Sequence, residues 1–136
     1  MPLKHWIEYT PDWRQAPMAY WVHVEQDGKP WFRSKSFAPP APVEIPHKGY
    51  SQLCIEVEEF VLRFSSLAQL AEFIRVFSLT PIPTTRRLME QRCTGGGLNS
   101  HWLSHVPTKL KSPRRRRQVV KALAQVLAER SVSGLV

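Results

Sequence analysis

The sequence predicts an α+β fold: an antiparallel sheet of three to five strands, followed by three or four helices packed on one face. Three observations lead there. Residues 1–64 are rich in alternating and aromatic stretches of strand type, interrupted by a proline-rich connector over residues 38–46. Residues 65–136 carry helix caps followed by apolar stripes of helical period. The chain has 136 residues, 43% of them hydrophobic and 22% charged, which is enough for one domain around one core.

Taken in order, residues 5–9 form a short first strand. Residues 19–25 and 31–37 read as a hairpin around Asp27-Gly28, with a three-residue loop that places Gly28 in the left-handed position. That register pairs Glu25 with Lys29 and His23 with Trp31. It collects Trp21, His23, Trp31, Arg33 and Lys35 on one face, opposite Tyr20, Val22, Val24 and Phe32. Pro39, Pro40, Pro42 and Pro46 make the next stretch an extended connector. Residues 53–64 return to strand, but the alternation slips at Glu58-Glu59. Two glutamates fit a two-residue turn poorly, because both would need positive φ, so a bulge or a longer turn is expected.

Helices follow. Ser66-x-x-Gln69 is a capping box opening a helix over residues 67–77, with Leu67, Leu70, Ile74 and Phe77 on one stripe. Pro81 and Pro83 end it. Thr84 or Thr85 caps a second helix to about Arg92, and Gly95-Gly96-Gly97 closes it. Asn99 caps a short helix that stops before Pro107. Ser112 then caps the last helix, with Pro113 at its first position.

Charge is distributed unevenly. Residues 1–85 hold eight Lys/Arg and nine Asp/Glu, whereas residues 86–136 hold eleven Lys/Arg and two Asp/Glu. The formal net charge of +8 therefore belongs to the C-terminal third. Such asymmetry points to nucleic acid or an acidic protein as partner. No apolar run approaches the roughly 20 residues that span a bilayer, and the N-terminus lacks a signal-type stretch, so a cytoplasmic protein with no membrane partner is expected. Cys54 and Cys93, with no C-x-x-C pair, read as reduced thiols.

The sharpest feature is Arg114-Arg115-Arg116-Arg117 at the start of the last helix. A helix N-terminus already carries partial positive charge, so each exposed cation there costs about 0.3–1 kcal/mol. An anion at that end removes the conflict. Helical geometry divides the run. Arg114 points to solvent, with Lys121 one to two turns beyond. Arg115 and Arg117 flank the apolar stripe of Val119, Val120, Leu123, Val126 and Leu127. Arg116 falls on the stripe and should snorkel or reach a carboxylate among Glu56, Glu58 and Glu59. Arg86 and Arg87 repeat the device at the preceding helix start, and Lys109 and Lys111 approach the last one. The expected polyanion-binding set is Arg86, Arg87, Lys109, Lys111, Arg114, Arg115 and Arg117.

Other constellations carry less. Trp21, His23, Trp31 and Arg33 could stack unpaired bases, or pair two copies in a homodimer, if helices leave that face open. His101 and His105 have the spacing of two metal ligands but no glutamate between them and no third ligand nearby. The triple glycine lacks the flanks of a phosphate loop. No nucleophile–base pattern has diagnostic neighbours. A cavity joining His101, His105 and Glu58 is the remaining enzymatic arrangement. A non-enzymatic protein without cofactor or metal is expected.

The stretch Phe64-Ser65-Ser66-Leu67-Ala68, with Leu79-Thr80-Pro81-Ile82-Pro83-Thr84-Thr85-Arg86-Arg87-Leu88, and the stretch Gly97-Leu98-Asn99-Ser100-His101-Trp102-Leu103-Ser104 before Pro107-x-Lys109-x-Lys111, resemble small proteobacterial proteins of mobile elements such as integrons. The resemblance covers the C-terminal half. It implies a bacterial cytoplasmic accessory protein and no particular activity. Burial of Trp102, Leu103 and Val106 would pin that segment and present Lys109 and Lys111 beside Arg114.

Overall fold

The computed structural model describes residues 3–82, Thr84, Arg87 and residues 102–133. Its centre is a three-stranded antiparallel sheet of β1 (Lys4–Thr10), β4 (Tyr50–Val57) and β5 (Phe60–Phe64). Strand β4 lies between the other two. Short segments separate β1 from β4: helix α1 (Ala19–Val22), and a two-residue ladder of β2 (Val24–Glu25) with β3 (Phe37–Ala38). Helices α2 (Leu67–Phe77) and α3 (Pro113–Ser133) complete the chain. The architecture is α+β, as the sequence predicts.

Register explains the core. Leu53 faces Phe64, Ile55 faces Leu62, and Val57 faces Phe60, while Ile7 and His5 of β1 lie opposite Leu53 and Ile55. One face of the sheet thus presents an apolar layer. Against it pack Leu70, Phe73, Val76 and Phe77 of α2, and Val119, Leu123 and Val126 of α3. Trp102, Leu103, Val106 and Leu110 join the same cluster and pin the segment before α3. The opposite face carries a polar set, in which Arg63 donates to Glu8 (3.1 Å) and Trp6 Nε1 donates to the same carboxylate (2.7 Å).

The turn between β4 and β5 corrects the expectation of a bulge or longer loop. Val57 pairs with Phe60, so the loop is Glu58-Glu59 alone, with φ of 48° and 72°. Left-handed backbone costs each glutamate about 1–2 kcal/mol. A one-residue slip would turn Phe60, Leu62 and Phe64 out of the core together, at about 1.5–3 kcal/mol for each fully buried side chain. Burial wins, and the apparent phase slip in the sequence is the signature of a tight hairpin.

The N-terminal hairpin is also corrected. Residues 19–22 are helical, Trp31–Arg33 form a 3-10 turn, and the surviving ladder pairs Val24 with Ala38 and Glu25 with Phe37. The expected hairpin would place Trp21, His23 and Trp31 on one face of a sheet. The observed chain instead forms a satellite cluster of Trp13, Ala16, Ala19 and Phe37, with Trp31 and Tyr50 against it. Trp13 meets Trp31 and Phe37 edge to face, at 5.7 and 5.2 Å between ring centroids. This geometry adds to area burial. Pro30, which cannot donate to a ladder, precedes the 3-10 turn.

Helix α2 begins as expected, with the Gln69 N–H donating to Ser66 Oγ at 3.3 Å. The Gln69 side chain reaches one residue further back than a capping box requires. It donates to Ser65 Oγ (2.7 Å) and accepts from the Ser65 N–H (3.0 Å).

Candidate functional site

Helix α3 starts where α2 ends, and this junction sorts the arginine run. Arg116 is 5% exposed. It donates from Nε to the Lys111 carbonyl (2.9 Å), and from Nη1 to the carbonyls of Phe77 (3.3 Å) and Leu79 (2.7 Å). The last carbonyls of a helix lack internal partners and carry the negative end of its dipole. Arg116 therefore satisfies the end of α2 as an internal structural residue, and neither snorkels to solvent nor reaches a carboxylate, the two outcomes its place on the stripe predicts. Arg115 is the residue that meets Glu58, and it also donates to Gln118 at 3.0 Å. The acidic cluster was the right partner for a different arginine.

Arg114, Arg117 and Lys121 remain exposed, with no acidic partner among the described residues. At about 100° per residue they fall within an arc of about 60° and extend along about 10 Å of helix. They form one basic ridge, so Arg114 and Arg117 are neighbours rather than divergent groups. Lys121 shares their arc, and its spacing of four from Arg117 is legible in the sequence, whereas Arg115 is engaged by Glu58.

A cavity of about 230 Å³ lies beside the ridge. Arg116, Arg117 and Lys121 line it together with Thr80, and Phe77 and Val120 supply apolar wall. No acidic side chain among the described residues lines it. Lys109 is exposed on the 3-10 turn Thr108–Leu110, which the buried Leu110 anchors. Lys111 is half-buried, and that burial lowers its pKa. Arg87 is exposed, and its backbone N–H donates to Thr84 Oγ1 at 3.2 Å, which identifies Thr84 as a cap. Among the described residues, no hydrogen bond or ion pair ties the Arg87 side chain to α3. Arg86, Cys93, the triple glycine, Asn99 and His101 lie outside the described residues.

The aromatic set does not form one open sheet face for stacking or dimerisation. His23 is 0% exposed. Its Nδ1–H donates to the Pro39 carbonyl (2.9 Å), which fixes Nε2 as acceptor of the Ser66 hydroxyl (2.9 Å). Desolvation lowers its pKa, against a smaller opposite effect of the Pro39 bond, and keeps the ring neutral. This serine–histidine pair has a carbonyl where a nucleophilic triad has a carboxylate, and its serine is occupied as the cap of α2. It ties the N-terminal segment to α2. Trp31 donates to the His23 carbonyl at 2.9 Å, and both Trp21 and Trp31 are half-buried. Arg33, at the end of the same 3-10 turn as Trp31, is exposed.

His105 is exposed at the edge of a small apolar cavity with Phe60 and Trp102, while Glu58 is engaged by Arg115. Cys54 is buried, and desolvation pushes its thiol up to about 11. No three His, Cys, Asp or Glu side chains among the described residues are grouped to hold a metal ion. Among those residues, no helix is long and apolar enough to cross a membrane. No protein family, curated protein or solved structure matches the chain.

Proposed function

We propose that the chain is a non-enzymatic binding protein for nucleic acid or a comparable polyanion, with the ridge Arg114, Arg117 and Lys121 as the contact. The observation that carries this reading is the division of labour in the arginine run. Arg115 and Arg116 have partners inside the fold, while Arg114, Arg117 and Lys121 stand on one exposed arc without acidic partners among the described residues. Lys109 and Lys111 extend the same basic approach. The charge asymmetry and the resemblance of the C-terminal half fit a cytoplasmic accessory protein of a bacterial mobile element.

The test is salt dependence. Each neutralised phosphate contributes about −0.9 to the slope of log K against log salt on duplex DNA. The triple variant Arg114→Ala, Arg117→Ala, Lys121→Ala should flatten that slope by about 2.7 and weaken binding at every salt concentration. Anisotropy titrations of a labelled duplex between about 50 and 200 mM salt measure it. An unchanged slope removes the ridge from the interface.

A further inference from the structure

We propose a second binding site, in which the loop of residues 27–35 stacks an unpaired nucleobase on Phe32 and holds the flanking phosphates with Lys29, Arg33 and Lys35. The assignment rests on the nucleic-acid reading above and adds to it a contact specific for single strands.

The loop is built to hold its shape. Asp27 accepts from the backbone N–H groups of Lys29 (3.2 Å) and Lys35 (3.0 Å), and from the Ser34 hydroxyl (2.7 Å). Ser34 is 1% exposed, and its carbonyl accepts from Arg14 Nη2 at 3.0 Å. Trp31 anchors the 3-10 turn through Trp13 and Phe37. The loop's one carboxylate is thus engaged by the loop itself.

What the loop presents is different. Phe32 is 66% exposed between the half-buried Trp31 and the exposed Arg33, whose guanidinium lies over the Phe32 ring at 5.6 Å from its centroid. Lys29, Arg33 and Lys35 are all exposed. A hydrogen-bonded loop with an exposed aromatic ring, a guanidinium against one side of it and two further exposed cations on the same loop matches the chemistry of an unstacked base between two phosphates. Bases in a duplex are already stacked and present no free face, so the loop distinguishes single strands from double.

The experiment uses the full chain with a labelled single-stranded oligonucleotide, its duplex form, and vesicles containing phosphatidylserine. Phe32→Ala should weaken single-strand binding roughly tenfold, within the range of one stacked base, and leave duplex binding unchanged. Phe32→Tyr should retain affinity. Phe32→Leu, which keeps apolar bulk without a π face, should behave as Phe32→Ala. Equal single-strand affinity of the unaltered chain and the Phe32→Leu variant would overturn stacking. So would a Phe32→Ala defect confined to the vesicles, which would make the loop a lipid-headgroup contact. Arg114→Ala with Arg117→Ala separates the two proposals. If these weaken binding and Phe32→Ala does not, the loop assignment fails and the ridge stands. If Phe32→Ala alone weakens binding, the loop stands and the ridge fails.

Discussion

Arg116 and its neighbours differ by one helical step and by everything that surrounds them. Removing the Arg116 head group strands the Phe77, Leu79 and Lys111 carbonyls beside a buried side chain. Each unsatisfied buried acceptor costs about 1–3 kcal/mol, with partial relief from water, so Arg116→Met should destabilise the fold by about 2–4 kcal/mol. Arg114→Ala and Arg117→Ala remove cations from the positive end of a helix. They should leave stability unchanged or raise it by up to about 1 kcal/mol. Urea midpoints of the three variants check this contrast. His23 gives a pH signature. Its folded pKa lies below the ordinary value near 6.5, so the unfolded chain takes the proton first. The stability that depends on neutral His23 is fully present above about pH 6.5 and is lost as pH falls through the lower folded value. His23→Gln should remove that component of the acid sensitivity, visible as a smaller drop in thermal midpoint between neutral and mildly acidic buffer.

The β4–β5 hairpin shows the same competition at the level of an element. Glu59 has a φ of 72°, and its side chain is exposed. Glycine adopts that conformation without the steric cost, so Glu59→Gly should stabilise the chain by about 1 kcal/mol while sparing the Glu58–Arg115 contact. Differential scanning calorimetry would read this as a higher midpoint, and a lower one would mean that the turn is not strained. This turn illustrates what the sequence conceals. The backbone penalty at two glutamates is local and visible. The reward, three cross-strand apolar pairs on one face, depends on register and is not. Helix α2 was legible for the opposite reason. Ser66, the apolar stripe and the terminating prolines all lie within one stretch of chain. The N-terminal segment differs from its sequence pattern because aromatic residues favour strands in general, while here Trp13 comes from a separate stretch of chain to pack with Trp31 and Phe37. In the candidate site, the exposure of Arg114 and Arg117 is legible from their position on a helix. The carbonyl partners of Arg116 are not, since they come from the end of another element.

Across the whole molecule, two basic surfaces are held by two different kinds of support. The ridge stands on a helix packed into the main core. The Phe32 loop stands on the satellite aromatic cluster and on Asp27, whose carboxyl is held far below the usual range chiefly by the Lys35 N–H and the Ser34 hydroxyl. The hydrogen bonds of His23 link the two halves, from the Pro39 carbonyl to the cap of α2. At the start of α3, the end of α2 offsets the charge of Arg116 and Glu58 that of Arg115, while the exposed Arg114 and Arg117 still repel the helix's own dipole. A bound anion would complete that electrostatic arrangement, so ligation and folding share a common term. If the ridge binds a polyanion as proposed, that ligand should raise the melting temperature, by an amount that grows with the logarithm of its concentration over its dissociation constant.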